Sequence, residues 1–352
     1  MVDSNQKPSK IIYSIAPIRI CDLGGWTDTW FAKYGKILNI GVSPHAEVQI
    51  DVYPRASREN MVTLFAENYG ERFVVTLGNG DWNTHPLLEA TVERMGIPDD
   101  IAVDITLYSD APAGASIGTS ASVTVALVGA LDLLTPGRLT QHEIAYAAQS
   151  VEVDMLGRQS GIQDQLAAAY GNINYIDMFK YPYASVSHIK LPNRIWWELN
   201  RRLVLIYLGK SHDSSQVHEQ VIEGLENAGS EAAPLKALQT TPERARDALV
   251  CGNYTALGQV MIDNSEMQRD LHPALISHDA DHIIDIAKHH GALGWKVNGA
   301  GGDGGSITLL CGDSTTQQRN MIATIEAANP LFQHVPIHLT RNGVYAWEVM
   351  PH

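Results

Sequence analysis

The sequence has little cysteine, little positive charge and no long apolar segment, and each shortage argues against a class of protein. Its three cysteines, Cys21, Cys251 and Cys311, are odd in number and far apart, which argues against a disulfide framework and a zinc knuckle. The 25 lysines and arginines face 39 acidic residues, a net charge of −14, so neither a nucleic acid nor an anionic membrane is expected as the main partner. The polar residues 1–10 and the absence of an apolar run of about 18 residues predict a cytoplasmic protein with no membrane segment.

Composition and length predict a folded protein of two domains. Hydrophobic residues make up 45% and charged residues 18% of the 352, and a chain of this length exceeds what one hydrophobic core usually serves. A polar loop at residues 192–194 predicts a boundary between residues 1–193 and residues 194–352. Strand-like and helix-like patterns occur in both parts, so the expected fold class is α+β.

Periodicity predicts the position of individual elements. Strands are expected at residues 11–20, 37–42, 47–53, 101–107, 202–208 and 344–349. Helices are expected at residues 84–95, 120–134 and 140–156. Thr140 followed by Glu143 matches a capping box at the start of the last of these helices.

The most informative segment is a loop of small residues, 112–122, directly before the apolar run 123–134. Small residues let the backbone approach a ligand, and the free N–H groups and dipole at a helix N-terminus attract anions. The hydroxyls of Thr119 and Ser120 could hold a phosphate-bound Mg²⁺. This pattern predicts a nucleotide-phosphate loop; for the loop alone, a tight turn into a packed helix is an equal alternative.

The loop does not match the common nucleotide motifs. A Walker loop needs a lysine after its last glycine, and the chain has no lysine between Lys36 and Lys180. The dinucleotide fingerprint is absent because Gly114 and Gly118 are four residues apart. A kinase built on this loop must therefore take its cationic groups from elsewhere in the chain.

Three separated segments together resemble the GHMP kinases (galactokinase, homoserine kinase, mevalonate kinase, phosphomevalonate kinase). They are residues 16–28, with Arg19 and Gly24-Gly25-Trp26-Thr27-Asp28, the loop 112–122, and the glycine-rich run 296–305. The resemblance extends over nearly the whole chain. Residues 19–28, 36–39 and 160–171 are most similar to the branch of heptose-7-phosphate kinase and fucokinase.

The resemblance implies a fold and a reaction. The fold would be an N-terminal domain like ribosomal protein S5 domain 2, followed by a ferredoxin-like C-terminal domain. The reaction would transfer the γ-phosphoryl group of ATP, with Mg²⁺, to a hydroxyl of a sugar or sugar phosphate, in this branch the anomeric C1 hydroxyl. Alternatives within the superfamily are a kinase for fucose, galactose or a uronic acid, a decarboxylase, and a non-catalytic sugar-binding relative. The enzyme is expected to be a monomer or a homodimer.

The resemblance also implies roles for single residues. Asp164 would orient or deprotonate the acceptor hydroxyl, Arg19 would be the cation beside it, and Ser120 and Glu152 would hold Mg²⁺. The nucleotide would contact Pro112, Gly114, Ser116, Gly118, Thr119, Ser120, Gly301 and Gly302. The acceptor would contact Gly25, Asp28, Asn39 and Gly299.

The chain departs from the family pattern in three places. Ser116 stands where the family usually has a glycine, so it must accept a backbone conformation that glycine adopts easily. Thr119 replaces a serine. Asp303 puts a carboxylate into the third glycine run, where it is expected to point away from the nucleotide or to help hold Mg²⁺.

A phosphorylated acceptor would need a second basic pocket for its own phosphate. The basic residues available for it are Arg58, Arg158, Lys180, Lys210 and Arg341. Residues 209–215, rich in hydrogen-bond donors after a predicted strand, are the expected acceptor loop of the second domain.

Overall fold

The computed structural model describes residues 7–210 and 215–351 and contains two β-sheets surrounded by helices. The strands are β1 (Lys10–Leu23), β2 (Gly35–Pro54), β3 (Val62–Ala66), β4 (Glu71–Val74), β5 (Ile101–Ser109), β6 (Ile173–Lys180), β7 (Tyr183–His188), β8 (Leu203–Tyr207), β9 (Gly294–Val297), β10 (Ser306–Leu310), β11 (Gln333–Val335) and β12 (Tyr345–Val349). The helices are α1 (Pro86–Met95), α2 (Thr119–Asp132), α3 (Gln141–Ser150), α4 (Gln163–Tyr170), α5 (Asn193–Arg202), α6 (Ser215–Ala228), α7 (Ala233–Leu238), α8 (Thr241–Cys251), α9 (Tyr254–Leu271), α10 (His278–His289) and α11 (Thr315–Ala328). The expected α+β class is confirmed.

The first sheet has eight strands and carries the loops that form the site. Its order is β12-β1-β2-β5-β3-β4, with β6 and β7 added beside β2, and β3 is parallel to β5 while the other pairs are antiparallel. The two strands expected at residues 37–42 and 47–53 are one strand of 20 residues. The sequence pattern predicts two strands because β2 changes its pairing partner along its length, from β6 at residues 35–40 to β5 at residues 46–54.

Helix α2 is the central helix behind this sheet. Eleven of its 14 residues are buried, so its sequence is apolar on every face rather than on one stripe. It packs against β1 and β2 and begins directly after the loop 112–118. The helix expected over residues 120–134 is therefore confirmed within two residues at each end.

Helix α3 begins with the expected capping box, in which Thr140 and Glu143 bond each other's backbone N–H groups. The pattern predicted one helix as far as residue 156. The α-helix ends at Ser150 and continues as a π-helical turn, Val151–Met155, before leaving the helix at Gly157. Such turns occur often at functional sites, and this one carries Glu152.

The second sheet is antiparallel, in the order β11-β8-β10-β9. With the intervening helices, this is the β-α-β-β-α-β arrangement of a ferredoxin-like domain, as expected. After it, the chain returns to the first sheet, where β12 pairs with β1. In the part of the chain that the structure describes, no helix combines the length and apolarity needed to cross a membrane.

Candidate active site

A polar cleft opens where three loops of different origin meet. The loops follow β1, precede α4 and follow β9. The lining residues are Arg19, Asp22, Trp26, Asp28, Thr29, Trp30, Phe31, Gln159, Ser160, Gly161, Gln163, Asp164, Gly299 and Ala300. About 620 Å³ of empty space, part of it open to solvent, lies between these walls.

An ion pair between Arg19 and Asp164 lies at the base of the cleft. The Nε of Arg19 donates to Oδ1 of Asp164 at 2.8 Å and its Nη2 donates to Oδ2 at 3.2 Å. Burial lowers the pKa of Arg19, but the charges of Asp164 and Asp22 raise it by more, so the guanidinium remains a cation. The carboxyl group of Asp164 is about one-third exposed to the cleft. The pair therefore presents a fixed, accessible carboxylate.

The loop before α2, residues 112–118, is called the phosphate loop below. Hydrogen bonds to its carbonyl groups hold it in place. Ala115, Ser116 and Ile117 accept hydrogen bonds through their backbone oxygens, from Ser306 Oγ, Arg19 Nη1 and Arg19 N respectively. Within the described residues, the N–H groups of 114–121 donate to no protein acceptor. Gly118, the N-cap, is left-handed and makes no side-chain cap. The first turn of α2 thus leaves a set of free donors that suits a phosphate.

Ser116 adopts the conformation that the sequence requires of it. Its φ is +56°, in the left-handed region, and its hydroxyl is buried without a hydrogen-bond partner in the described structure. The third glycine run lies directly against it, because a Cβ on Gly299 would come 3.0 Å from the Ser116 Cβ. The phosphate loop and the glycine-rich run 296–305 are therefore in contact at this residue.

A second, more apolar cavity lies next to the phosphate loop and was not predicted. It is shared by β3, β5, the start of α1 and the loop, and its lining residues are Ala66, Asn68, Tyr69, His85, Leu87, Leu88, Leu107, Tyr108, Ala113, Gly114, Thr119, Ser120 and Val123. Its lining combines aliphatic side chains with the rings of Tyr69, His85 and Tyr108, which suits a flat heterocycle. Gly114, Thr119 and Ser120 are expected nucleotide contacts, whereas the aliphatic residues of the cavity are indistinguishable from core positions in the sequence.

Asp28 lies in the cleft wall and caps α4. Its Oδ2 accepts a hydrogen bond from the backbone N–H of Gln163 at 3.0 Å, and a Cβ on Gly161 would collide with it. Burial raises the pKa of Asp28 to about 6, and the hydrogen bond from Gln163 offsets part of this effect. The predicted acceptor ligand is therefore a buried carboxyl group of weakened acidity.

A buried charged cluster behind the cleft was also not predicted. Oδ1 of Asp22 accepts the N–H of Gly299 at 3.0 Å and lies 3.6 Å from Nζ of Lys296 and 3.8 Å from Nη1 of Arg19. Lys296 is fully buried, and burial lowers its pKa although Asp22 raises it in part. A lysine inside the short buried strand β9 was the available signal, because such a residue needs a buried partner.

The proposed Mg²⁺ ligands differ in exposure. Glu152 is buried, burial raises its pKa, and its Oε2 accepts a hydrogen bond from Gln165 at 3.0 Å. Ser120 is exposed in the first turn of α2. Among the described residues, no group of three metal-ligating side chains is found. Mg²⁺ usually takes one or two protein oxygens together with phosphate and water, so a carboxylate and a hydroxyl are donors of the right kind.

Some expected residues lie apart from the cleft. Asn39 is buried in the first sheet, where its Oδ1 accepts a hydrogen bond from Asn174. Gly302 donates its N–H to Leu275, and a Cβ on Gly301 would collide with the same carbonyl, so both pack against the chain after α9. Gly25 does not line the cleft but lies against Asp22, because a Cβ there would come 2.8 Å from Oδ2.

Asp303 lies on the surface, and most of the expected acceptor loop is outside the described residues. Asp303 is 73% exposed and lies 3.6 Å from Nζ of Lys210. Of the expected acceptor loop 209–215, residues 211–214 lie outside the described residues.

Comparison with known proteins finds one matching family domain and similar kinases. Residues 86–172 match the family described as GHMP kinases N terminal domain. The D-glycero-alpha-D-manno-heptose 7-phosphate kinase of Campylobacter jejuni is 24% identical over 352 residues, which cover 97% of this chain and 100% of that protein. The bifunctional fucokinase/GDP-fucose pyrophosphorylase of Arabidopsis thaliana is 22% identical over 309 residues, which cover 83% of this chain and 29% of that protein.

Solved structures share the fold. A D-glycero-D-manno-heptose 1-phosphate kinase from Bacteroides thetaiotaomicron superimposes with a TM-score of 0.72 at 21% identity, covering 96% of this chain and 99% of the other. Galactokinase of Lactococcus lactis, in complex with galactose, gives a TM-score of 0.72 at 17% identity and 95% coverage of each chain. The phosphate loop and Asp164 both lie inside the matched family domain. Residues 86–172 therefore form a GHMP kinase N-terminal domain, and the chain as a whole has the fold of the GHMP kinases.

Proposed function

We propose that this protein is an ATP-dependent kinase that phosphorylates a hydroxyl group of a sugar or sugar derivative. The observation that carries the proposal is the juxtaposition of Asp164 with the phosphate loop. A Cβ on Gly118, the N-cap of α2, would lie 3.4 Å from Cγ of Asp164 and 3.4 Å from Cγ of Arg19. A nucleotide phosphate on the free N–H groups of α2 would therefore meet a sugar hydroxyl at Asp164.

We assign one of the two cavities to each substrate. The apolar cavity beside the phosphate loop suits the base of ATP, and the polar cleft around Asp28 and Asp164 suits a polyhydroxylated acceptor. The named relatives include kinases of a heptose phosphate and of fucose. By that likeness, we expect the anomeric C1 hydroxyl as the acceptor position.

The reaction follows from the positions of these groups. The acceptor oxygen forms a bond to the γ-phosphorus, the bond from that phosphorus to its bridging oxygen breaks, and ADP leaves with the electron pair. The acceptor proton passes to the carboxylate of Asp164, which Arg19 holds through two hydrogen bonds. Mg²⁺, held by Ser120 and Glu152 as we propose, would neutralise charge on the nucleotide phosphates.

The decisive test is the Asp164→Asn variant in a coupled ATP turnover assay with a panel of sugars. The amide keeps the size of the side chain but cannot take the proton, so turnover is expected to fall by at least 100-fold while nucleotide binding stays within about twofold. Asp285→Asn, on the exposed face of α10, is the matched control and should turn over normally. Full activity of the Asp164 variant would contradict the assigned role.

A further inference from the structure

One wall of the cleft is aromatic. Trp30 and Phe31 pack edge to face with ring centroids 5.1 Å apart, and Trp26 lies 6.5 Å from Phe31. Nε1 of Trp30 donates to Oε1 of Glu226 in α6 at 2.6 Å, which fixes this ring from the second part of the chain. The three rings and Ala300 are called the aromatic wall below; Trp30 is half-buried, and Trp26 and Phe31 are buried.

The other walls carry an excess of negative groups. Three carboxyl groups, those of Asp22, Asp28 and Asp164, line the cleft with a single lining cation, Arg19. The fully buried Lys296 lies behind them, 3.6 Å from Asp22. That guanidinium is already bonded by both oxygens of Asp164. An anionic acceptor would therefore meet like charges at short range and find no uncommitted cation.

No lysine or arginine outside the described residues could add a cation to the cleft. Residues 1–6, 211–218 and 352, whose side chains the structure does not describe, contain no lysine or arginine. Every such residue is thus among those described, and only Arg19 lines the cleft.

The basic residues proposed for a second phosphate are committed elsewhere or lie outside the cleft. Lys210 pairs with Asp279 and Asp303. Arg58 stacks on Tyr53, Arg341 stacks on Trp196, and Lys180 ends β6. Arg158 is exposed and precedes Gln159 at the rim, so it is the one cation that could compete for an acceptor phosphate.

We propose that the acceptor is an uncharged sugar. Its apolar C–H face would lie on the aromatic wall, as the flat face of an aromatic ring favours, and its hydroxyls would donate to the carboxyl groups opposite. A sugar phosphate or a uronic acid would be a poor acceptor because its charge would approach Asp28 and Asp164. This inference rests on the proposed kinase function and narrows its substrate class.

The test compares matched acceptors on the full chain. Fucose, galactose, galactose 6-phosphate, galacturonic acid, a heptose and its 7-phosphate are measured by ATP turnover and by quenching of tryptophan fluorescence. We expect at least one uncharged sugar to bind, with a kcat/KM at least tenfold above that of its charged counterpart. A charged sugar preferred over its uncharged partner overturns the inference, and loss of that preference in Arg158→Ala would assign the phosphate site to the rim.

The two readouts separate this inference from the proposed function. Uncharged sugars that quench fluorescence but are not phosphorylated would contradict the kinase function while supporting the acceptor class. Phosphorylation of charged sugars alone would support the kinase function while contradicting the acceptor class. Failure of every uncharged sugar to bind would also overturn the inference.

The aromatic wall is tested by variants of Trp30. Trp30→Ala is expected to raise KM for the acceptor at least tenfold and to leave KM for ATP within twofold, whereas Trp30→Phe, which keeps a ring, restores most of the affinity. Trp197→Ala is the matched control, since Trp197 on α5 is 63% exposed and lies outside the cleft. An equal rise of both KM values in Trp30→Ala, not rescued by Trp30→Phe, would indicate a structural role and count against the wall as a platform.

Discussion

Asp28 has a place in the cleft, but its buried carboxylate lowers the stability of the fold. It caps α4 and faces the cleft, but burial raises its pKa to about 6. The unfolded chain releases this proton near pH 4, so folding takes up a proton between about pH 4 and pH 6. The ionised carboxyl therefore costs stability, and the cost grows as pH rises through that window.

The variant Asp28→Asn should be more stable than the wild type at neutral pH. Its amide oxygen can still accept from Gln163, and it needs no charge in the buried site. We expect a gain in the free energy of unfolding of up to about 3 kcal/mol at pH 7, at about 1.4 kcal/mol per pKa unit, and no gain near pH 4. Urea unfolding at pH 4, 5, 6 and 7 measures this difference.

Kinetics of the same variant separate stability from function. KM for the acceptor should rise while KM for ATP stays unchanged, as is common where a site sacrifices stability. Asp285→Asn, an exposed carboxylate, should give no pH-dependent gain. A gain that is constant from pH 4 to pH 7 would show that the Asp28 carboxyl is not the cause.

At the scale of the element, the N-terminus of α2 is where we propose that the nucleotide phosphates bind. The helix begins at Gly118 with φ +73° and ψ +26°, a conformation that costs other residues about 1–2 kcal/mol. The same glycine leaves room for Arg19 and Asp164, both of which would contact an added Cβ. One residue thus sets the helix start and the approach of the Arg19–Asp164 pair.

Replacing Gly118 with alanine should therefore impair both functions of this helix start. We expect kcat/KM for ATP to fall at least tenfold, with a loss of about 1 kcal/mol in stability. Gly291→Ala is the matched control, because Gly291 has φ +74° and open space around its Cα. It should lose similar stability and keep its kinetics; an equal kinetic loss in both variants would contradict the local explanation.

Elements with a local signal were predictable from the sequence, and contacts between distant segments were not. The capping box at Thr140 and the apolar run of α2 depend on neighbouring residues, so both predictions are confirmed. The pair of Arg19 with Asp164 came from the family resemblance, since 145 residues separate the two. Trp30 and Lys296 were missed because their partners, Glu226 and Asp22, lie about 200 or more residues away in sequence. The roles assigned to Glu152 and Ser120 stay predictions.

At the scale of the molecule, the cleft is assembled from both sheets. The second sheet reaches the phosphate loop through Ser306, whose hydroxyl donates to Ala115 at 2.6 Å. It reaches β1 through Asn298, which accepts the N–H of Cys21 at 3.0 Å, and through Lys296 beside Asp22. Because the buried charges lie at this junction, removing one of them should affect the whole fold rather than one loop.

Replacement of Asp22 by asparagine tests that junction. The variant would leave Lys296 buried without its carboxylate, and breaking a buried pair on one side typically costs about 3–5 kcal/mol. We expect a loss of this size in urea unfolding. The double variant Asp22→Asn with Lys296→Met should regain part of it, because both charges are then absent. Strict additivity of the two single losses would mean that the 3.6 Å pair does not couple the sheets.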